Sequence, residues 1–595
     1  MLFRSIATTV ALAAVFVPVA FMEGRTGRLF TEFALTLAGA VVISSFVALT
    51  LSPMMCSRLL RRQEKEPAVT RPIKAFLDWL DRIYARSLRW SLANRGVVIL
   101  VALFAAAANV AVFTKLPSEL APVEDRGVLF GILIGPEAAT VDFTDAYMRR
   151  VEDIYREVPE RRQVFVASGY PIASDGFSVL LLKPWEERER SAGQIAGSIF
   201  PAFFGVAGTL AFPVLPPSLG ASPTERPVNF VIMDSRSYEA MEGSVQAFLA
   251  KVKENPNLIS VDTDLRINTP QIRVNMERDR IGTLGLDVGT VGRTVETMLG
   301  GREVTKFKQN GEQYDVVVQA DEAERANPDH LMRYFVRTPD GGILPLSALI
   351  DLTEVVEPRD RNHFNRSRSV TVTANLAPGY SLGEALAYLD EVAAETLPRS
   401  AGVGYDGQSL EFIESGASLY LTFALALAFI FLVLAAQFES FVDPTIVMLT
   451  VPLSIVGALL ALQFTGNSLN VYSQIGLITL VGLISKNGIL ITEFANQLQD
   501  AGKEKMDALI EASTLRLRPI LMTAFSMILG TMPLALAAGA GAESRHQIGW
   551  VVVGGLLIGT VFSIFVVPTA YSFLARDRQQ RPAPDYAAIE ASGDD

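Results

Sequence analysis

The sequence predicts a membrane α-helical bundle of about eight spans that carries a large mixed α and β domain. Three observations predict it. Half of the 595 residues are hydrophobic and only 19% are charged, too apolar for a disordered chain and unusual for a soluble one. The apolar residues gather in two blocks, at 1–116 and 416–575. Those blocks consist of runs close to the about 20 residues that a helix needs to cross a bilayer, whereas residues 117–415 contain no such run.

Taken in order, Ile6–Met22 and Leu35–Cys56 make residues 1–56 a pair of spans. The first run also fits a secretory signal peptide, but Pro18-Val19-Ala20-Phe21 lacks a small-x-small cleavage site. Residues 57–95 are a basic, amphipathic linker rich in arginine, from Arg58 to Arg95. Gly96–Leu116 is the third span. Within the polar stretch 117–415, Asn229–Met233 and Tyr314–Ala320 read as strands, and Tyr238–Lys253 and Leu382–Thr396 as helices. That alternation suggests several small α/β or α+β layers. Residues 416–575 supply five more spans, Leu419–Ala436, Ile446–Phe464, Gln474–Asn496, Pro519–Ala540 and Ile548–Leu574. Residues 576–595, with Pro582 and Pro584, read as a disordered tail. The linker, the loop with Lys503, Lys505, Arg516 and Arg518, and the tail opening with Arg576 and Arg578 carry the basic residues. Basic loops mark the cytoplasmic side, which sets 117–415 on the opposite side.

Composition excludes several function classes. A net charge of −11 argues against a nucleic-acid partner, which needs a basic footprint. One cysteine, Cys56, rules out a disulfide framework, and His330, His363 and His546 lie too far apart in sequence to suggest a metal cluster. No G-x-x-x-x-G-K-[ST] is present, so energy must come from a gradient rather than a nucleotide, and no cofactor is expected.

The two blocks repeat each other. Pro18 and Pro53 are 35 residues apart, as are Pro533 and Pro568. The same offset of 515 aligns Thr8 with Thr523, Ala20 with Ala535, Gly24 with Gly539, Gly39 with Gly554 and Arg61 with Arg576. Repeated halves are a habit of secondary transporters; chance agreement between two apolar helix pairs is the competing reading. The repeat makes residues 6–22 a span with a counterpart. Lys486 shifted by the same offset falls about 30 residues before Met1, which leads to the expectation of a carboxy-terminal part of a larger two-fold repeat protein.

Lys486 sits at the centre of Gln474–Asn496. A charge at mid-bilayer costs about 2.5–3.5 kcal/mol on insertion scales, so it faces the bundle interior as a relay group, or it tethers a carboxylate elsewhere. Glu493 lies seven residues on, toward the cytoplasmic end, and no span carries Asp or Glu at mid-depth. Thr523 and Ser526 put two hydroxyls on one face of the next span, unless they bond back to their own helix. Gly555 and Gly559 form a small-xxx-small pair suited to packing. Gly379-Tyr-Ser381-Leu-Gly383 lacks a suitable downstream acid and histidine, so Ser381 and Glu384 read instead as a capping box. Gly402-Val-Gly404-Tyr-Asp-Gly407 opens no βαβ unit and reads as a turn.

Several long motifs then carry a resemblance. Ala435-Ala-Gln-Phe-Glu-Ser-Phe441, Val451-Pro-Leu-Ser-Ile-Val-Gly-Ala-Leu459, Gly482-Leu-Ile-Ser-Lys486-Asn-Gly-Ile-Leu-Ile-Thr-Glu-Phe494 and Arg516-Leu-Arg-Pro-Ile-Leu-Met-Thr523 closely resemble resistance–nodulation–division (RND) efflux pumps. The likeness is greatest to the AcrB-like multidrug branch. Leu116–Gly127 and Pro270–Leu286 are similar too, so the resemblance covers all but the tail.

The resemblance implies a homotrimeric proton antiporter of the inner membrane that exports drugs and amphiphilic small molecules. It implies ferredoxin-like porter subdomains and a docking subdomain in the periplasm, meeting an adaptor and an outer-membrane channel. The spans here would be the family's fifth to twelfth. Lys486, Thr523 and Arg516 match its proton-relay motifs, while the paired aspartates of its fourth span have no counterpart. Val164–Ile172 resembles a substrate-gating loop and Phe212–Pro216 a pocket stretch. Phe165, Tyr170, Ile172, Phe177, Phe212 and Leu215 are therefore the candidate substrate residues, with ordinary core packing the competing reading. Apolar aromatic pockets suit varied amphiphiles. Dispersed methionines rank a heavy-metal exporter low; a lipid exporter and a non-transporting membrane accessory or remnant stay as alternatives.

Overall fold

The computed structural model describes residues 9–10, 13–22, 24–59, 70–137, 139–217, 219, 225–358, 360–377 and 379–578. Among the described residues, a short 3-10 helix (Pro18–Phe21) is followed by three longer helices, α1 (Gly24–Leu59), α2 (Thr70–Ala93) and α3 (Arg95–Phe113). A sheet-rich domain follows, and then a second group of long apolar helices. Among the described residues seven helical segments are long and apolar enough to cross a membrane. The expected span at residues 6–22 lies partly outside the described residues, as do Thr8, Arg61 and most of the tail.

The sheet-rich domain is built from one pattern used twice. In the first unit β1 (Val128–Ile134), α4 (Val141–Arg156), β2 (Arg161–Ser168), β3 (Asp175–Leu182), α5 (Ala192–Phe204) and β4 (Leu210–Val214) form an antiparallel sheet in the order β2-β3-β1-β4. The period-2 alternation of β1 and β3 sends Leu129, Leu133, Leu180 and Leu182 into a core with Met148, Tyr155 and Phe203. Thr140 caps α4 by accepting from Phe143 N at 3.3 Å, and Ser191 with Gln194 forms a capping box on α5.

The second unit runs β5 (Val228–Asp234), α6 (Tyr238–Val252) and β6 (Leu258–Thr263), and is then interrupted. The insertion holds β7 (Thr269–Met276), a largely exposed hairpin of β8 (Arg302–Gln309) and β9 (Glu312–Val318), and a small β10 (Phe335–Arg337) and β11 (Ile343–Pro345) pair. After β12 (Ile350–Glu357) and β13 (His363–Phe364), the unit resumes with β14 (Ser367–Leu376), α7 (Leu382–Thr396) and β15 (Gly402–Tyr405). Here β6 pairs with β14, β14 with β5 and β5 with β15, so the order matches the first unit. Ser381 and Glu384 form the expected capping box on α7. The run Gly402–Gly407 is not a turn. Its first four residues are strand β15, paired antiparallel with Tyr405 opposite Phe230, and Gly407 (φ 52°) opens the next helix. The partner strand lies far away in sequence, where a local glycine pattern gives no sign of it.

The closing helices are α8 (Gly407–Phe438), α9 (Val442–Met448), α10 (Thr450–Thr465), α11 (Val471–Asp500), α12 (Lys505–Ala535) and α13 (Ala542–Leu574). α13 packs on α10, α11 and α12. Its glycines make this possible. A Cβ on Gly554 would lie 2.7 Å from the Gly457 carbonyl oxygen, and one on Gly559 would lie 2.6 Å from the Ser454 Cβ. Gly555 sits against the Leu480 side chain, so the small-xxx-small pair does serve packing. α1 and α13 end at aligned positions of the repeat, Leu59 and Leu574. Their surroundings differ: α13 is mostly buried, and α1 is mostly exposed.

Candidate functional site

Lys486 lies on α11, half-buried, facing a cavity of about 620 Å³. The opposite wall comes from α1 and the segment before it, with Ser44, Ser45 and Thr9 among the lining residues. The Thr9 and Ser45 hydroxyls are 2.6 Å apart. No carboxylate stands among the described lining residues, and Lys486 makes no hydrogen bond or ion pair with any described residue. The arrangement is an unpaired amine facing hydroxyls, which can hold water or accept and give a proton.

Arg516 and Thr523 lie on the adjoining α12. The Arg516 guanidinium stacks on the Phe494 ring of α11 at 4.2 Å, and its Nε is buried with no hydrogen-bond partner among the described residues. Thr523 donates to Ile520 O of its own helix at 3.1 Å, the back-bonding arrangement. Met527, one turn further, reaches the cavity that Lys486 lines, and Thr523 does not. Ser526 is exposed. The three relay candidates thus share one helix pair, and only Lys486 faces the cavity.

The six substrate candidates fall in three places, and Phe212 belongs to two of them. The sheet register sets Phe165, Val179, Phe130 and Val214 in one cross-strand row, and Ala167, Phe177, Ile132 and Phe212 in the row two residues along. Both rows occupy the sheet face opposite α4 and α5. Phe177 lies 5.5 Å from Phe130 and 6.4 Å from Tyr170, ring centre to ring centre. Phe165 and Tyr170 are exposed. Val164–Ser168 of the expected loop belongs to strand β2, so only residues 169–174 form a loop there. Phe212 is buried beneath the Arg226 guanidinium, 5.9 Å from its ring centre. Phe212 and Leu215 line a cavity of about 490 Å³ between the two sheet units, whereas Ile172 lines a separate polar cleft with Arg226, Arg266, Asp262 and Glu137. Arg266 crosses that cleft, 2.8 Å from both Glu137 and Asp262.

Two features escaped the sequence reading. The first is a mostly apolar cavity of about 640 Å³ where the bundle meets the sheet domain, lined by Phe113, Phe412, Tyr420 and Phe423, with Glu119, Gln474, Ser118 and Ser415 among its polar residues. Burial pushes the Glu119 carboxyl up, against hydrogen bonds from Ser468 and Asn470. The second is a buried polar chain. Asn496 Nδ2 donates to Asp443 Oδ2 at 3.1 Å, the Tyr571 hydroxyl donates to Asn496 Oδ1 at 2.5 Å, and Gln499 Nε2 donates to the Tyr571 hydroxyl at 2.6 Å. Arg578 lies 3.6 Å from Asp443 and 3.0 Å from Asp500. Asn496 and Gln499, three residues apart on one helix, were the only local signal.

The family model for the AcrB/AcrD/AcrF family matches residues 2–575. The chain belongs to that family. Among curated AcrB/AcrD/AcrF relatives, it is 36% identical to an uncharacterized transporter of Haemophilus influenzae, over 98% of this chain and 57% of the relative. It is 33% identical to the multidrug/solvent efflux pump membrane transporter MepB of Pseudomonas putida, over 94% of this chain and 54% of the relative. It is 32% identical to the multidrug resistance protein MdtF of Escherichia coli K12, over 94% and 56%. The chain spans about half the length of the curated relatives it matches.

Proposed function

We propose that the chain works in proton-driven export of drugs and amphiphilic small molecules across the bacterial inner membrane. The observation that carries this reading is the family match over residues 2–575 joined to a Lys486 that is unpaired among the described residues, in a cavity among apolar helices. In this reading Lys486 takes and releases the proton, and Arg516, stacked on Phe494, fixes α12 against α11. Thr523 supplies a hydroxyl when its helix shifts. The seven described helical segments long and apolar enough to cross a membrane hold the bundle.

The two sheet units, each with the order 2-3-1-4, are ferredoxin-like porter subdomains in the periplasm. The insertion of β7–β12 is the docking part, which meets an adaptor and an outer-membrane channel in a homotrimer. Phe165, Tyr170, Ile172, Phe177, Phe212 and Leu215 contact substrate. The exposed rings of Phe165 and Tyr170 beside Phe177 favour this, because an open apolar face binds amphiphiles without demanding one shape. The test is drug susceptibility of a host lacking its own efflux pumps. The gene in its native setting is expected to confer resistance to cationic dyes and detergents, and Lys486→Ala is expected to abolish it. Equal resistance with Lys486→Ala removes the relay role, and no resistance from the wild type removes the export reading.

A further inference from the structure

Helix α2 has three faces where a surface helix needs two. At about 100° per residue, Leu80, Tyr84, Leu88 and Leu92 form one face. That face is turned toward the bundle: Tyr84, Leu88 and Leu92 are buried, and the Tyr84 hydroxyl donates to Ile564 O at 2.7 Å. Arg518 of α12 holds the same helix through Asp78 and Asp81, both at 2.6 Å. Phe76, Trp79, Ile83 and Trp90 fall within about 60° of one another on a second face. These four are 58%, 50%, 40% and 58% exposed, and the Phe76 and Trp79 rings stack at 5.8 Å. Arg82, Arg86 and Arg89 fall within about 60° of one another on a third face directly beside the aromatic one, and all three are exposed.

An aromatic stripe flanked by a guanidinium stripe matches one kind of partner. A soluble phosphate would engage the arginines and leave the four apolar side chains in water. A neutral lipid would cover the apolar stripe and leave the three charges without counter-ions. An anionic amphiphile satisfies both, since tryptophan rings and arginine heads settle at the level of lipid headgroups. The helix also stands next in the chain to α3, which is apolar and long enough to cross a membrane.

We propose that α2 is an anionic-phospholipid site in the leaflet on the side of the basic loops. Arg82, Arg86 and Arg89 hold lipid phosphates, and Phe76, Trp79, Ile83 and Trp90 sit at the acyl boundary. Through Arg518 and Tyr84 the bound lipid braces α12 and α13. This goes beyond the export reading and rests only on the part of it that puts the bundle in a bilayer.

The test uses the full chain in phosphatidylcholine nanodiscs. Energy transfer from tryptophan to dansyl-phosphatidylglycerol is compared with transfer to dansyl-phosphatidylcholine, which separates charge recognition from general lipid contact. The wild type is expected to prefer the anionic lipid. The preference should fall with salt, and R82Q/R86Q/R89Q should lose it. The loss approaches about a hundredfold when all three arginines engage, because each basic residue at an anionic surface is worth about fivefold. R82K/R86K/R89K should keep most of it, which separates lost charge from lost folding. Equal preference in wild type and the glutamine variant overturns the proposal. So does a wild type without preference that gains one when residues 579–595 are deleted, since the acidic tail would then be the occupant. A chain that does not enter nanodiscs at all fails the membrane reading instead.

Discussion

The Arg516 guanidinium lies 4.2 Å from the centre of the Phe494 ring, which ties α12 to α11 about 12 Å along the helix from Lys486. Two cations are thereby kept apart, one stacked on a ring and one facing a cavity. Phe494→Leu preserves most of the volume and removes the ring face, so it is expected to cost about 1–2 kcal/mol. Arg516→Lys should cost a similar amount because a lysine does not stack as a plane. The double variant should lose little more than either single one in thermal unfolding of the purified chain. Additive losses would show that the two side chains do not share an interaction.

Lys486 sets stability against function. It is unpaired among the described residues and half-buried among apolar helices. Lys486→Met keeps the length of the side chain and removes a charge that is costly at such depth, about 2.5–3.5 kcal/mol on insertion scales. The variant is expected to unfold at a higher temperature and to lose drug export. A destabilised Lys486→Met would mean that the amine has a partner in the folded chain, and the relay reading would need revision.

Local patterns were legible and distant pairings were not. Leu382–Thr396 was read to the residue, because an S-x-x-E cap and an apolar period are both local signals. The repeat found by proline spacing reappears only in part: α1 and α13 share an aligned carboxy-terminal end, but Pro18 opens a short 3-10 helix where its counterpart Pro533 lies inside α12. The strand at Gly402–Tyr405 was missed because its partner is Val231 and its neighbours, some 170 positions away. The Asp443–Asn496–Tyr571 chain was missed for the same reason, since its members lie on three helices. The pocket candidates lie in two short stretches of sequence, and only strand register puts Phe177 and Phe212 in one row with Ile132 between them.

Tyr571 is the centre of that buried chain. Its hydroxyl donates to Asn496 and accepts from Gln499, and both amides are buried. Tyr571→Phe leaves two amide groups without that partner, so it should cost about 1–3 kcal/mol, read as a lower unfolding temperature. Asn496→Leu in the same background should then cost less than it does alone, because the network is already broken.

Asp264 gives the sheet domain a pH dependence of defined sign. Burial pushes its carboxyl up, although Thr371 N and Asn362 Nδ2 each donate to it at 2.8 Å. The folded chain therefore holds this proton to higher pH than the unfolded chain, whose Asp titrates near about 3.9. The contribution of Asp264 to stability is greatest below that value and declines as pH rises through the folded value. Asp264→Asn should flatten this part of the profile while keeping the bond from Thr371 N. The check is unfolding temperature between acidic and neutral pH, and an unchanged slope in the variant would assign the pH dependence to other groups.

The repeat makes a paired prediction from two glycines at the same aligned position. A Cβ on Gly554 would meet the Gly457 carbonyl oxygen at 2.7 Å, while one on Gly39 would meet nothing within 4 Å. Gly554→Ala must push α13 away from α10, which is expected to cost about 1–3 kcal/mol. Gly39→Ala gains helix propensity on an open face, up to about 1 kcal/mol. Opposite signs in thermal unfolding would show that two sequence-equivalent helices do different work, one as a packed element of the bundle and one as a surface. A loss of similar size at Gly39 would instead mean that α1 has a close-packed neighbour in the folded protein, and the face now open would have to be covered by another chain or segment.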